Sequence, residues 1–321
     1  MRILVTGSSG HLGEALRRVL DDSVGLDILP SPYTDIVGSV ADRDVVRAAL
    51  RGVTAVVHAA TLHKPHVSSH ARQDFVETNV AGTLALLEES VAAGVDRFVF
   101  TSTTSTFGRA LVPRPGEPAA WITEDVVPVP RNIYGATKVA AEDLCELVHR
   151  DTGLPVLILR TSRFFPEGDD RDDVRSAFQD ANLKVNELLY RRIDLQDAVD
   201  AHLCALERAP ALGFGRYIVS ATTPFARDDL AELRHDAAAV VWRHVPGAEA
   251  VYAARGWRMF GEIERVYVNA DARAELGWEP VFDFAHAVEL VAAGEDWRSP
   301  LARAVGAKGY HAGSHGVYTS R

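Results

Sequence analysis

Three glycines that directly follow an apolar N-terminal segment constrain the fold of this chain more than any other feature. Residues 1–6 (MRILVT) have the composition of a short buried strand, and Gly7, Gly10 and Gly13 follow at three-residue intervals. The next residues have the apolar spacing of a helix. Glycines let the backbone approach a ligand closely, and a helix N-terminus offers free N–H groups to phosphate. The order strand, glycine turn, helix therefore predicts a parallel α/β fold with a dinucleotide phosphate site.

An acidic residue stands where such a fold usually contacts the ribose of the dinucleotide. Asp27 lies twenty residues after Gly7 and directly follows a second apolar segment, Val24–Leu26. A carboxylate there accepts hydrogen bonds from ribose hydroxyls and repels a 2′-phosphate. Because no lysine or arginine occurs between Arg18 and Arg43, we expect NAD rather than NADP. The alternative interpretation of Asp27 is a solvated turn residue.

A tyrosine and a lysine lie four residues apart in a predicted helix over residues 133–151. Tyr134 and Lys138 fall on one face of that helix, one turn from each other. An ammonium group beside a phenol favours the phenolate and lowers the pKa of the phenol. Tyr134 is therefore a candidate acid/base. With eight tyrosines and four lysines in the chain, the spacing alone is a weak signal.

Further motifs occur in the order typical of one enzyme family. They are Val56–Ala60 (VVHAA), Asn79–Thr83 (NVAGT), Phe98–Gly108 (FVFTSTTSTFG) and Ala274–Pro280 (AELGWEP). Together with the glycine turn, Asp27 and the Tyr134/Lys138 pair, they make the chain resemble the extended short-chain dehydrogenase/reductases, the NAD-dependent epimerase/dehydratase group. The resemblance extends over residues 1–295.

The alternation of strand and helix patterns and the resemblance imply the same architecture. Up to about residue 160 the alternation is typical of a doubly wound parallel sheet with helices on both faces. The resemblance implies an α/β Rossmann fold with a smaller C-terminal substrate-binding lobe. Residues 1–160 would form the NAD-binding domain, including the Tyr/Lys helix, and 161–295 mainly the substrate lobe, with some elements returning to the Rossmann core. We expect residues 296–321 to be a loosely ordered tail or to cover a partner subunit.

The resemblance implies a hydride-transfer site. Tyr134 would exchange the proton of a substrate hydroxyl, Lys138 would bind the nicotinamide ribose, and Thr103 would orient the reacting oxygen. Asn79 would brace the helix or relay protons through water. Contacts to the cofactor would come from Gly7, Ser9, Gly10, His11, Leu12, Asp27, Ser39, Val40, Ala59, Ala60, Thr61, Thr101, Tyr134 and Lys138.

Two positions near this site differ from the family pattern or allow alternatives. Ser102 and Ser105 are rivals to Thr103, and Phe107 stands where the family has a tyrosine, so a polar substrate contact is absent there. Ser39 replaces the usual acid after the third strand. The adenine amino group would therefore bind the Ser39 hydroxyl or a displaced Asp42.

The predicted substrate side departs further from the family. Arg163 replaces an asparagine that often contacts the nucleotide sugar, and would bind an anionic substrate or form a salt bridge with Asp169-Asp170. Arg192 would occupy the position of a diphosphate-binding arginine, with Asn182 in the same cleft. The segment between Arg163 and Arg192 is short for one that holds a nucleoside diphosphate. The predicted substrate-binding residues are Thr103, Ser105, Arg163, Asn182 and Arg192.

Three functions fit these residues. The first is an NAD-dependent UDP-sugar 4-epimerase that uses transient hydride transfer. The second is an NAD-dependent dehydrogenase of a free sugar, a uronate or another small hydroxyl or carbonyl compound. The third is a non-catalytic NAD-binding protein, against which Tyr134 and Lys138 argue. A dehydratase fits less well, because Thr104 and Ser105 stand where such enzymes place an Asp-Glu pair.

Composition argues against several other functions. The net charge of −10 and the absence of a basic stripe argue against nucleic acid and anionic membranes as partners. Cys145 and Cys204 lie in apolar helical patterns, which is typical of core residues in a reducing cytoplasm. We expect a cytoplasmic protein and, from the resemblance, a homodimer. The three histidines at 63, 66 and 70 have a spacing that could bind a metal on a helix, but we expect no metal.

Overall fold

A seven-stranded parallel sheet forms the centre of the protein, whose computed structural model describes residues 1–169 and 171–309. The strands in this part of the chain are β1 (Ile3–Thr6), β2 (Ser23–Asp27), β3 (Ile36–Val37), β4 (Ala55–His58), β5 (Arg97–Thr103), β6 (Ala120–Ile122), β7 (Val156–Thr161), β8 (Phe214–Val219) and β9 (Arg265–Tyr267). The sheet order is β3-β2-β1-β4-β5-β7-β8, and β6 pairs separately with β9. The predicted Rossmann fold is confirmed.

Helices flank the sheet and build a second group of elements beside it. They are α1 (His11–Val19), α2 (Arg43–Ala49), α3 (Arg72–Phe75), α4 (Gly82–Ala92), α5 (Ile133–Thr152), α6 (Asp172–Ala177), α7 (Asp180–Glu187), α8 (Leu195–Leu212), α9 (Ala237–His244), α10 (Ala248–Arg255), α11 (Ala270–Leu276), α12 (Phe284–Ala292) and α13 (Pro300–Val305). None of the helices in the described part of the chain is long and apolar enough to cross a membrane.

Both faces of the parallel sheet are buried, as its apolar strands require. Ile3 and Val5 of β1 pack in one core cluster with α1 and α8. Leu4, between them, packs with α2, α4 and α5 on the other face. The strand order reverses between β1 and β4, so the loops after these two strands diverge and leave a crevice at their carboxyl ends.

A separate core lies in the C-terminal lobe, the name used here for α7, α9, α10, α12, β6 and β9. Its cluster includes Val185, Val241, Tyr252 and Val266. By contrast, α8, β8, α11 and α13 return to the sheet. The division near residue 160 into an NAD-binding domain and a mainly substrate-binding lobe stays a prediction.

Two predicted helices differ in the structure. The apolar spacing of residues 73–93 predicts one helix, but the structure has α3, a π-helical turn at Val76–Ala81 and then α4. The pattern of residues 227–241 predicts mostly helix, but only its second half belongs to an α-helix, and two 3₁₀ turns precede α9. Asp229 accepts a hydrogen bond from the Ala226 N–H, and Asp236 caps α9 at the Ala239 N–H. Because these two aspartate side chains bind backbone N–H groups, they favour separate short turns over one continuous helix.

The segment after residue 296 was expected to be loose or to cover a partner, but part of it is packed on its own chain. Ser299 caps α13, and Val305 is buried against α1 and α8. The N–H groups of Lys308 and Gly309 both donate to Glu167. The rest of the predicted tail, residues 310–321, lies outside the described residues.

Candidate active site

A cleft of about 1280 Å³ opens at the carboxyl ends of the strands, over the crevice between β1 and β4. It is large enough for a dinucleotide and a second small molecule, since single-ligand pockets are usually about 300–1,000 Å³. The structure brings most of the predicted site residues to its wall. Those that line the cleft are Gly7, Ser9, Gly10, His11, Leu12, Asp27, Ser39, Val40, Ala59, Ala60, Thr61, Thr101, Thr103, Ser105, Tyr134 and Arg163.

The glycine turn is packed so closely that side chains would not fit. Gly7 has φ +70°, and a Cβ atom there would lie 2.8 Å from the Ala60 nitrogen. A Cβ atom on Gly13 would lie 1.9 Å from the Gly7 carbonyl oxygen. The turn therefore brings bare backbone and the N-terminus of α1, which begins at His11, to the cleft. Such an arrangement can hold a pyrophosphate.

Asp27 and Ser39 stand at the far side of the same cleft. The Asp27 carboxylate accepts hydrogen bonds from the Ser9 and Leu29 N–H groups, each at 2.9 Å, which fixes its position at the end of β2. Asp42 is used elsewhere, because it caps the N-terminus of α2. Of the two predicted adenine contacts, Ser39 is thus the one that faces the cleft.

The predicted acid/base pair lies at the end of β5. Tyr134, on the first turn of α5, is buried except for a small part that faces the cleft. Burial raises the pKa of its phenol to about 12, although the neighbouring Thr103 hydroxyl lowers it somewhat. Lys138 is fully buried one turn later. Its Nζ donates to the Thr101 carbonyl at 2.6 Å and lies 4.0 Å from the centre of the Phe100 ring.

The pKa values of Tyr134 and Lys138 are both set mainly by burial. Burial lowers the pKa of Lys138 to about 7, and the effect of burial dominates for Tyr134 as well. Lys138 is not among the groups that shift the phenol pKa in this structure, so its lowering of that pKa stays a prediction. The Lys138 ammonium donates its hydrogen bond to the Thr101 carbonyl. The buried phenol has lost its contact with water, which disfavours the charged phenolate.

The surroundings of Thr103 separate it from its rivals. Ser102 donates to Glu142, a buried carboxylate that also pairs with Arg160 at 2.7 Å. That serine is therefore directed into the protein. The Ser105 N–H donates to the Thr103 hydroxyl at 3.1 Å, which orients that hydroxyl beside Tyr134.

Asn79 joins two parts of the site without facing the cleft. It is buried in the π-helical turn, a feature that is frequent at functional sites. Its side-chain amide donates to the Leu62 carbonyl and to the Thr137 hydroxyl, and its oxygen accepts from the Leu62 N–H at 2.8 Å. Asn79 thereby ties the loop after β4 to α5, the arrangement expected of a residue that braces the helix.

Comparison with known proteins decides the family. A model of the NAD dependent epimerase/dehydratase family matches residues 3–217, more than half of the chain. The chain belongs to this family. It is accordingly an NAD-dependent enzyme of the short-chain dehydrogenase/reductase type, and NAD is the cofactor for which the glycine turn and Asp27 are suited.

Individual members of the family that cover most of the chain are distant in sequence. A dTDP-glucose 4,6-dehydratase from Streptomyces antibioticus is 29% identical, covering 92% of each chain. The structure of a short-chain dehydrogenase/reductase superfamily protein from Agrobacterium tumefaciens with bound NAD has TM-score 0.64 and 24% identity, covering 91% of this chain and 96% of that one. UDP-N-acetylglucosamine 4-epimerase from Bacillus cereus has TM-score 0.62 and 20% identity, covering 91% and 98%. Curated relatives at 32% or 33% identity are matched over only 39% to 57% of their length.

Three arginines on the substrate side of this family member surround one buried carboxylate. Glu187 is fully buried at the end of α7 and contacts Arg192 at 2.8 Å, Arg191 at 2.6 Å and Arg163 at 3.4 Å. Burial raises its pKa, but the arginines outweigh burial and bring the pKa down to about 2. Arg163 also pairs with Asp169 at 2.9 Å, which is the salt bridge left open as an alternative by the sequence.

Two predicted substrate contacts are placed away from the cleft wall. Arg192 is buried and donates to Glu187 and to the Phe165 carbonyl. Asn182 is buried and bonds the backbone of Arg258 through both side-chain atoms. Phe107, expected to mark a lost substrate contact, is also fully buried and packs 5.9 Å from the Tyr267 ring. All three positions serve packing within the protein.

Several residues that line the cleft were not predicted from the sequence. They come from the residues flanking α7, from β9 and the segment before it, and from the segment after α13, namely Phe178, Tyr190, Arg191, Phe260, Arg265, Tyr267, Lys308 and Gly309. Of these residues, the sequence pattern points only to Arg265 and Tyr267. Residues 265–268 have the pattern of a strand, in which every second side chain lies on the same face.

The histidines after β4 adjoin the site. His63 lines the cleft with its ring 6.4 Å from that of Tyr134, and burial holds its pKa well below the usual range. The segment Lys64–Ser68 is a 3₁₀ turn rather than an α-helix. Within residues 1–169 and 171–309 there is no group of three His, Cys, Asp or Glu side chains that could hold a metal ion.

Proposed function

We propose that this enzyme is a nucleotide-sugar 4-epimerase of the UDP-sugar type, which oxidises and re-reduces one secondary hydroxyl of its substrate. The observation that carries the proposal is that the Thr103 and Tyr134 hydroxyl side chains lie next to each other on the wall of the cleft that also contains the glycine turn. Two hydroxyls at that place can hold one substrate oxygen and exchange its proton.

The side chains of this site divide the chemistry as follows. Tyr134 takes the proton of the substrate hydroxyl during oxidation and returns it during reduction, while Thr103 holds the same oxygen. Because burial raises the pKa of Tyr134 to about 12, proton removal near neutral pH needs positive charge close to the phenol. Lys138, four residues on, is the buried cation of the same helix. NAD supplies the hydride acceptor and donor for this chemistry.

An aromatic wall supports a substrate with a planar base. Phe178 and Tyr190 line the cleft and each packs edge-on against Phe260, at ring separations of 5.3 and 5.9 Å. Aromatic side chains provide stacking surfaces for nucleobases. The likeness in fold to UDP-N-acetylglucosamine 4-epimerase is consistent with such a substrate.

A second candidate, an NAD-dependent dehydrogenase of a free sugar or sugar acid, is favoured by a different observation. Arg192 and Asn182, the residues expected to grip a diphosphate, are occupied by contacts inside the protein. A dehydratase reaction fits less well, because the loss of water from a sugar needs an acid that protonates the departing hydroxyl. Here hydroxyl residues, Thr104 and Ser105, directly follow Thr103.

One assay separates these activities. The purified protein is incubated with NAD and a panel of UDP-sugars, free sugars and free uronates, while free NADH is followed by absorbance and products by chromatography. Interconversion of a UDP-sugar without accumulation of NADH supports the epimerase. Stoichiometric NADH formation would exclude it and support the dehydrogenase.

The role of Tyr134 is tested by Tyr134→Phe, for which we expect a loss of about 10²–10⁴-fold in kcat, the usual contribution of a proton-transfer group. Tyr33→Phe is the matched control, because Tyr33 does not line the cleft. A Tyr134→Phe enzyme with the rate of the control would contradict the mechanism.

Two expectations from the sequence accompany this function as proposals. We propose a homodimer, which sedimentation velocity of the purified protein tests. We also propose a cytoplasmic location, which fractionation of the producing cells tests.

A further inference from the structure

We propose that Arg265 binds a carboxylate of the sugar substrate, so that the enzyme acts on a uronate. This inference rests on the proposed function, because it concerns the same cleft and the same reacting sugar. It adds a residue and a substrate class that the catalytic side chains do not specify.

Arg265 is a buried cation without a partner. Only 8% of the residue is exposed, and it lines the cleft. Among the described residues, no side-chain hydrogen bond or ion pair involves its guanidinium, and its Nη2 atom is buried with no hydrogen-bond partner. A charge taken out of water is costly unless it is paired, so arginines in such places normally have an anion beside them.

Neighbouring charges do not supply that anion. Glu262 is paired with Arg234 at 2.9 Å. No ion pair joins Glu264 to Arg265 within the part of the chain that the structure describes. Two other arginines of the cleft differ in this respect, since Arg163 and Arg191 both contact Glu187.

The strand geometry places Arg265 on the substrate side. Residues 265 and 267 of β9 share one face and both line the cleft, whereas Val266 packs into the core of the C-terminal lobe. The Tyr267 ring lies 5.9 Å from that of Phe107, which follows Ser105 by two residues in the loop after β5. Arg265 therefore lines the same cleft as Thr103 and Tyr134, two residues from a ring that packs against the loop after β5.

That placement favours a carboxylate on the sugar over a phosphate farther along the substrate. A guanidinium binds a carboxylate through two parallel hydrogen bonds, a geometry that lysine does not reproduce. The diphosphate of a nucleotide sugar is the alternative anion, and the test distinguishes the two.

The experiment compares matched ligands that differ only in the carboxylate. Full-length enzyme with NAD is titrated calorimetrically with glucuronate and glucose, and with UDP-glucuronate and UDP-glucose. For at least one pair we expect the wild-type enzyme to bind the carboxylate-bearing ligand at least about tenfold more tightly, as charge-assisted bonds allow. Arg265→Met should reduce that ratio to about one, and Arg265→Lys should give an intermediate ratio. Arg273→Met, at an exposed position on α11, is the control and should keep the wild-type ratio.

Three results would overturn the inference. The first is a wild-type enzyme that binds neither carboxylate-bearing ligand more tightly than its neutral partner. The second is an affinity ratio that Arg265→Met leaves unchanged, and the third is an equal loss of affinity for both UDP-sugars in that variant, which would assign Arg265 to the diphosphate. If Arg265→Met does not fold, the Arg265→Lys ratio decides, since a wild-type ratio there contradicts bidentate binding. Turnover of a neutral sugar that depends on Tyr134 would leave the proposed function intact while removing this inference.

Discussion

Replacing Glu187 with glutamine is expected to destabilise the protein by about 3 kcal/mol at pH 7. The pKa of Glu187 changes from the usual 4.5 to about 2 in the folded protein, because three arginines outweigh the effect of burial. Since one pKa unit corresponds to about 1.4 kcal/mol, the folded structure favours the carboxylate by about 3 kcal/mol. Glutamine keeps the shape but removes the charge, and breaking a buried pair usually costs about 3–5 kcal/mol.

The pH dependence has a definite sign. A carboxyl group with a lowered folded-state pKa contributes its full stabilisation above the unfolded value of about 4.5 and loses it as the pH falls toward about 2. The difference between wild type and Glu187→Gln in the free energy of unfolding should therefore be constant near neutral pH and shrink below about pH 4.5.

Urea denaturation followed by circular dichroism, at several pH values, measures this difference. Glu88→Gln is the matched control, because Glu88 is half-exposed and pairs with Arg43 at the surface. Such pairs contribute less than about 1 kcal/mol. If Glu187→Gln is no less stable than this control, or if its deficit does not shrink in acid, the arginine cluster does not stabilise the carboxylate as described.

Three further predictions concern the cofactor side. Burial lowers the pKa of Lys138 from 10.5 to about 7, so the unfolded chain binds an extra proton between these values and stability rises with pH across that window. Lys138→Met should remove the rise, as urea denaturation at pH 7 and about pH 9 would show; a parallel rise in the variant would refute the assignment. Asp27→Ala should weaken NAD binding by about tenfold in calorimetric titrations and reduce the ratio of the affinities for NAD and NADP. An unchanged ratio would mean that another group excludes the 2′-phosphate. Gly13→Ala should abolish NAD binding, because its Cβ would lie 1.9 Å from the Gly7 oxygen; Gly261→Ala, which meets no atom within 4 Å, should bind normally.

The parts of the site that depend on local sequence could be predicted. The glycine turn, Asp27, and the Tyr134/Lys138 pair belong to single elements whose periodicity is visible in the chain, and the structure brings most of these residues to one cleft. The lowered pKa of Lys138 could not be predicted in this way. The spacing of Lys138 from Tyr134 is visible in the sequence, but its burial and its hydrogen bond to the Thr101 carbonyl depend on how α5 packs against β5.

The substrate side could not be predicted because it depends on contacts between distant segments. A pattern of adjacent arginines does not show that Arg191 reaches the cleft while Arg192 turns inward to Glu187. A predicted strand at residue 265 likewise does not show which of its faces meets the cleft. That choice is made by the packing of Val266 in the C-terminal lobe.

The contacts of Glu167 have a consequence for the order in which the protein is made. Glu167 approaches His11 of the glycine turn at 3.1 Å and accepts hydrogen bonds from the Lys308 and Gly309 N–H groups, while the Lys308 side chain pairs with Glu14. Among the described residues, α1 thus receives these neighbours only when residue 309 has emerged from the ribosome. A nascent chain can complete its parallel sheet once β8 has emerged, yet the wall of its cofactor cleft is completed only about ninety residues later, when Lys308 and Gly309 have been made.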